Sequence, residues 1–289
     1  MITKKTNDES ISPYAYSSPA LAAFRKLHES GCFILPNPWD LGSAVYLHHL
    51  GFKALATTSA GFAFSRGLPD SASALTLDAV LTHIREIAGA TPLPVNADFQ
   101  SGYADEPEGV ADNVKLCVRT GAAGLSIEDA TGNDSSPLYE RANAVERIRA
   151  ARTSIDESKI PVILTARCEA MLVGVPDPER TILDRLAAYA DAGADCLYAP
   201  GVRKPEMISA IVKAVAPKPV NVLISSPLPG LSLAALTDLG VRRISVGSAL
   251  ARVAWTSFIG AARSIAETGT FDALEGAVPF SELNSVFKA

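Results

Sequence analysis

Eight short β-rich runs recur along the whole chain: CFIL at 32–35, ALATT at 54–58, PVNA at 94–97, LSIE at 125–128, PVILTA at 161–166, CLYA at 196–199, VNVLI at 220–224 and RISV at 243–246. No other feature limits the fold so tightly. Between the runs lie segments of helical length with apolar residues spaced i, i+3, i+4, such as PEGVADNVKLCVRTGA and PERTILDRLAAYADAGA. Several of these segments stop at a glycine just before the next run (LGFKALA, TGAAGLS, AGADCLY, LGVRRIS), where a residue without Cβ lets a helix end and the chain turn back. Runs that are apolar on both faces and alternate with helices demand a parallel sheet covered by helices. Eight such units in 289 residues favour a closed α/β fold, a (β/α)8 TIM-type barrel, over a doubly wound sheet.

The chain reads as a loose lead-in over residues 1–19, rich in Ser, Pro and Tyr, followed by a single barrel domain over 20–289 with a C-terminal helical extension. In that extension GSALARVAWTSFIGAARSIAETGTF predicts a long helix and PFSELNSVF a short final one with Ser281 at its N-cap. The apolar face of the long helix must be covered, by its own barrel or by a second subunit.

A net charge of −5 without long runs of one sign gives no footprint for nucleic acid or an anionic membrane. No stretch reaches the roughly 18 apolar residues of a spanning helix. MITKKTNDES lacks the apolar core of a secretory signal. Cys32, Cys117, Cys168 and Cys196 form no CxxC pair and suit reduced thiols, so a cytoplasmic location is expected.

In a barrel, chemistry belongs at the C-terminal ends of the strands. Those ends carry Thr58-Ser59-Ala60-Gly61 and a loop finishing at Asp70, then Asn96 and Asp98, Glu128-Asp129, Arg167 and Glu169, and Asn221. Clustered carboxylates repel one another unless a cation neutralises them. Hard oxygen donors without histidine point to Mg²⁺ or Mn²⁺ rather than zinc, and His28, His48, His49 and His83 all fall in helical segments. No lysine ends a strand, which argues against a Schiff-base enzyme. A divalent ion beside an arginine and a Ser-Ala-Gly turn would chelate a 2-keto or 2-hydroxy carboxylate and stabilise an enolate. Arg242-Arg243 reads as a solvated strand start, and Cys168 and Cys196 as small core residues.

TTSAGFAFSRGLPD, VNADFQSGYAD, LSIEDA, LTARCEA and PVNVLISSP, taken in this order, resemble the isocitrate lyase and phosphoenolpyruvate mutase superfamily over roughly residues 20–270. The resemblance implies a (β/α)8 barrel, Mg²⁺, a small carboxylate substrate, cleavage of a C–C or P–C bond through an enolate, and homo-oligomers (dimers or tetramers) that exchange a C-terminal helix. It places Ser59, Ala60 and Gly61 on the substrate carboxylate, Asp70 near the reacting centre, Asn96 and Asp98 on the family's Asp-x-Asp, Glu128 on the metal and Arg167 on the substrate. Asn221 falls on a polar contact from strand 7. Asn96 replaces an acid, and Phe99-Gln100 reads as an insertion. The Lys-x-Cys-Gly-His loop of isocitrate and methylisocitrate lyases is absent: TGNDSSPLYER stands there. Those two activities are therefore discounted. The proton would come from Glu169, Tyr139 or water, as in decarboxylation of oxaloacetate or cleavage of a substituted malate. The alternatives are a phosphonopyruvate hydrolase or mutase, and a barrel that binds keto acids without turnover.

Overall fold

The computed structural model describes residues 18–71 and 73–288. All but Ser18 and Pro19 of the expected lead-in lie outside the described residues. Eight parallel strands form one sheet: β1 (Phe33–Leu35), β2 (Leu55–Ala56), β3 (Val95–Asp98), β4 (Gly124–Glu128), β5 (Ile163–Arg167), β6 (Cys196–Tyr198), β7 (Val220–Leu223) and β8 (Arg243–Ser245). Their order, β1-β8-β7-β6-β5-β4-β3-β2, leaves only β1 and β2 to meet. There the Ala56 amide donates to the Pro36 carbonyl at 3.0 Å. Asn37 stitches the same seam, donating to the Thr57 carbonyl at 2.9 Å and accepting from the amides of Val246 and Gly247 at 3.0 and 2.9 Å. The fold is a nearly closed (β/α)8 barrel.

The helices follow local rules. α5 (Pro107–Val118), α7 (Pro178–Asp191) and α8 (Pro205–Val215) each open on Pro followed by Glu. The proline's fixed φ and missing N–H suit the first helical position, and the acid meets the positive end of the helix dipole. α2 (Leu41–His49) starts with a reciprocal Asp40–Ser43 capping box.

The barrel's N-terminal end is plugged by α1 (Ser18–Glu29). Phe24 of α1 is fully buried against Gly124, where an added Cβ would lie 2.6 Å from the Phe24 ring and 2.7 Å from the Asn96 side-chain oxygen. Only glycine leaves room for both at the start of β4. Arg25 donates to the Pro161 carbonyl at 2.9 Å, fixing α1 below β5.

The C-terminal extension forms α10 (Ala249–Thr268) and α11 (Phe280–Phe287). The N-cap of α11 is Pro279, not the expected Ser281, which lies inside the helix. Proline at that position has already fixed an extended φ of −60°. Val286 of α11 is buried, and the helix packs on α2. By contrast α10 shows solvent a row of apolar side chains, with Val253 64% and Phe258 61% exposed. No helix among the described residues is long and apolar enough to cross a membrane.

Candidate active site

Alternation along each strand sends every second side chain into the barrel. Asp98, Glu128 and Arg167 end β3, β4 and β5, and the register aligns Glu128 with Arg167 across the β4–β5 pair. Arg167 is the hub. Its guanidinium reaches Asp98 Oδ1 at 2.7 Å, Glu128 Oε2 at 3.0 Å and Glu169 Oε1 at 2.9 Å. Burial opposes its charge, but the three carboxylates together hold its pKa well above the ordinary arginine value. Three acids around one guanidinium leave an excess of negative charge. Burial pushes the Glu128 carboxyl up; Arg167 opposes the rise, and the charges of Glu169, Asp98 and Asp129 add to it.

The second Asp98 oxygen accepts from the Ser59 amide at 2.9 Å, and the Asp98 amide donates to Thr57 Oγ1 at 2.8 Å. The Ser-Ala-Gly turn is therefore partly committed to the protein itself. The Gly61 amide is also taken, by Thr58 Oγ1 at 3.2 Å.

Above this cluster lies a cavity of about 460 Å³, of the size that holds a small ligand. Ser59, Ala60, Asp70, Asn96, Asp98, Arg167 and Asn221 line it. Gly61, Glu128 and Glu169 do not. Glu169 is buried behind Arg167, and its own amide donates to Asp129 Oδ1 at 2.8 Å. Its place is that of a support for Arg167 rather than of a group facing substrate. Asp70 is raised from the usual carboxylate value by partial burial and by the Asp98 charge, with Arg167 opposing.

Asn96 and Asn221 sit one layer deeper than the rim, around a residue read from sequence as solvated. Arg243 is buried inside the barrel, donating to Asn221 Oδ1 at 2.8 Å, Thr165 Oγ1 at 3.0 Å and Asn96 Oδ1 at 3.4 Å. Adjacent strand residues point to opposite faces. Arg242 takes the outward place and donates to the Gly31 carbonyl, so Arg243 must turn in. With a guanidinium as neighbour, the Asn96 oxygen is a poor place for a cation. Burial, then Arg243, pushes the imidazole of nearby His28 down to about 3.

Tyr139 is also away from the cavity. Its hydroxyl donates to Asp105 Oδ1 at 2.6 Å, and its ring stacks under the Arg147 guanidinium at 3.9 Å. Arg147 in turn donates to the carbonyls of Ser101, Ala104 and Asp105, fixing the loop that follows β3. Gln100 is buried in that loop at φ 43°, and its carbonyl accepts from the Glu128 amide at 2.9 Å. Cys168 and Cys196 are buried, and burial pushes both thiols up. Tyr198, Ser245 and Arg243 line the cavity without having been singled out as site residues. The signal was the period-2 alternation of Cys196 with Tyr198 and of Arg243 with Ser245.

Hard oxygen donors, an excess of carboxylate and a polar cavity fit a divalent cation. Among the described residues no three His, Cys, Asp or Glu side chains converge as a ready-made cage.

Residues 24–266 match the phosphoenolpyruvate phosphomutase family. The chain belongs to that family. It is similar to the solved structure of a Burkholderia cenocepacia J2315 protein described as a lyase/mutase, at 46% identity and a TM-score of 0.89, over 96% of this chain and 97% of that one. It is similar to oxaloacetate acetylhydrolase solved with its product oxalate, at 28% identity and a TM-score of 0.82, over 95% and 94% of the two chains. It is also 34% identical to the 2-methylisocitrate lyase of Salmonella typhimurium over 185 residues, 59% of this chain and 60% of that one. Like these members of the isocitrate lyase and phosphoenolpyruvate mutase superfamily, the chain is an enzyme of the lyase and mutase class acting on small carboxylates.

Proposed function

We propose that the protein is a Mg²⁺-dependent lyase that breaks a C–C bond of a small 2-keto or 2-hydroxy dicarboxylate, as in oxaloacetate decarboxylation or cleavage of a substituted malate. The observation that carries this reading is Arg167, held among three carboxylates at the wall of the cavity. A guanidinium has five N–H donors in a fixed fork. Two of Arg167's are hydrogen-bonded to Asp98 and Glu169 while Nη2 is ion-paired with Glu128, and the rest would serve a substrate carboxylate entering beside Ser59 and Ala60. Asp98 would hold the ion together with its waters, and Glu128, outside the cavity lining, would reach it through one of those waters. When bound, it supplies a Lewis acid for the developing enolate charge. Asp70 stands at the same cavity, close enough to Asp98 and Arg167 to feel both charges.

Oxalate, a flat mimic of the pyruvate enolate, tests the reading by thermal shift. At about 100 times its dissociation constant it should add roughly 2.7 kcal/mol, and only with Mg²⁺ present. No shift under any combination would sink the lyase reading and favour a barrel without turnover. The family match favours a second reading, P–C cleavage; phosphate release from phosphonopyruvate would select it.

We propose further that a second copy of the chain covers α10. Val253 and Phe258 of α10 and Phe280 of the extension are 64%, 61% and 87% exposed, large apolar side chains of the kind that an interface covers. Phe258→Glu should leave the barrel folded and shift sedimentation from dimer or tetramer toward monomer. A wild-type chain that sediments as a monomer would overturn this.

A further inference from the structure

If an enolate forms in this cavity, a proton must reach its carbon, and of the sources named from sequence the two side chains, unlike water, are badly placed. Tyr139 is held by Asp105 beneath Arg147, and Glu169 is buried behind Arg167; neither lines the cavity. Asp70, Asp98 and Tyr198 do line it, and Asp98 is committed to Arg167 and the Ser59 amide, which leaves Asp70 and Tyr198.

Tyr198 ends β6, aligned with Arg167 on one side and Asn221 on the other. Its ring lies 5.1 Å from the Arg167 guanidinium carbon, and Ser245 lines the same cavity. The orientation of the Ser245 hydroxyl follows from Arg243. Arginine only donates, so Asn221 must present its oxygen to Arg243 Nε, at 2.8 Å. The Asn221 amide nitrogen then donates to Ser245 Oγ, at 3.0 Å. Having accepted there, Ser245 keeps its own O–H to offer to the Tyr198 oxygen. A phenol that accepts from Ser245 has its one proton left to point into the cavity.

We propose that Tyr198 delivers the proton to the substrate carbon and that Arg243, Asn221 and Ser245 aim its hydroxyl. The proposal rests on the lyase reading above. As the C–C bond of a β-keto acid breaks, its electron pair stays with the keto-acid fragment as the enolate, and CO₂ leaves. The Tyr198 proton goes to the enolate carbon. The phenolate, beside Arg167 and still accepting from Ser245, recovers a proton from water at the cavity mouth. Burial, partly offset by Arg167, pushes the phenol up to about 12, so it stays protonated at neutral pH. Arg243, Asn221 and Ser245 are positioning residues in this scheme.

The test is exchange of pyruvate methyl protons in D₂O with Mg²⁺, followed by NMR, alongside the oxalate thermal shift. Tyr198→Phe should slow exchange about 100-fold or more, the usual yield of a positioned acid, and keep the oxalate shift. Asn221→Asp is nearly isosteric and gives Arg243 a counter-ion, but cannot donate to Ser245. It should slow exchange about tenfold, on the order of one lost directional bond, without lowering the melting temperature. Tyr198→Phe retaining exchange within about threefold, while Asp70→Asn abolishes it, would overturn the proposal. So would loss of the oxalate shift in parallel with exchange, which would make Tyr198 a wall of the cavity. A wild-type chain that neither exchanges pyruvate nor responds to oxalate overturns the lyase reading, and this proposal with it.

Discussion

Arg167→Gln is expected to lose turnover by at least about a thousandfold, the scale set by removing one preorganised charge from an active site. The same change should destabilise the fold. Asp98, Glu128 and Glu169 each contact that guanidinium within 3.0 Å, and removing one partner of a buried ion cluster costs about 3–5 kcal/mol. The loss should depend on pH in a definite sense. Glu128 already has a folded pKa above its ordinary value of 4.5, and Arg167 is the group that restrains it. A carboxyl whose folded pKa is raised holds its proton more tightly folded than unfolded. Stability is then greatest below about pH 4.5 and declines as pH rises toward the folded value. Without Arg167 the folded value rises further and the decline extends to higher pH. Melts of both chains at pH 5, 7 and 9 should show a gap that widens with pH. A constant gap would mean that the carboxylates do not feel Arg167 as the geometry says.

Asp129→Ala is expected to be the most damaging change outside the cavity. Asp129 accepts from Tyr189 at 2.6 Å and Arg185 at 3.1 Å with one oxygen, and from the Glu169 amide at 2.8 Å with the other. It thus ties α7 to the exits of β4 and β5, just behind Arg167. Alanine would strand a buried guanidinium on Arg185, costing about 3–5 kcal/mol and lowering the melting midpoint on the order of 10 °C. Asp129→Asn keeps an acceptor for the Glu169 amide and should cost less. If the alanine variant melts within about 2 °C of the parent, the triad contributes little and Glu169 is held by other contacts.

All eight strands were legible because each is a short, largely apolar run between turn residues, and the structure shifts only their ends, trimming β2 most (Leu55–Ala56) and adding Asp98 to β3, Gly124 to β4 and Arg167 to β5. The rim acids were legible for a related reason: Asp98 and Glu128 each close a buried run, where a charge needs a purpose. What could not be read was the barrel's stagger. Asn96 and Arg243 stand 147 positions apart, and no local pattern says which inward residues share a layer. Assigning Asn96 to the rim and Arg243 to solvent were two forms of one error about depth. The Arg-Arg pair held the correction, since neighbours on a strand cannot both face water. Ser281 was misplaced for a simpler reason, because Pro279 had already started the helix.

The plug formed by α1 has a kinetic meaning. With Phe24 packed on Gly124, the cavity is a blind well rather than a channel. An enzyme that splits one molecule in two inside such a well must release both fragments through the mouth by which the substrate came in. For the C–C cleavage proposed above, the fragment nearer the mouth would depart first, and one seated by Tyr198 and Ser245 would wait. The order of release is then set by depth in the barrel, whichever fragment binds more tightly.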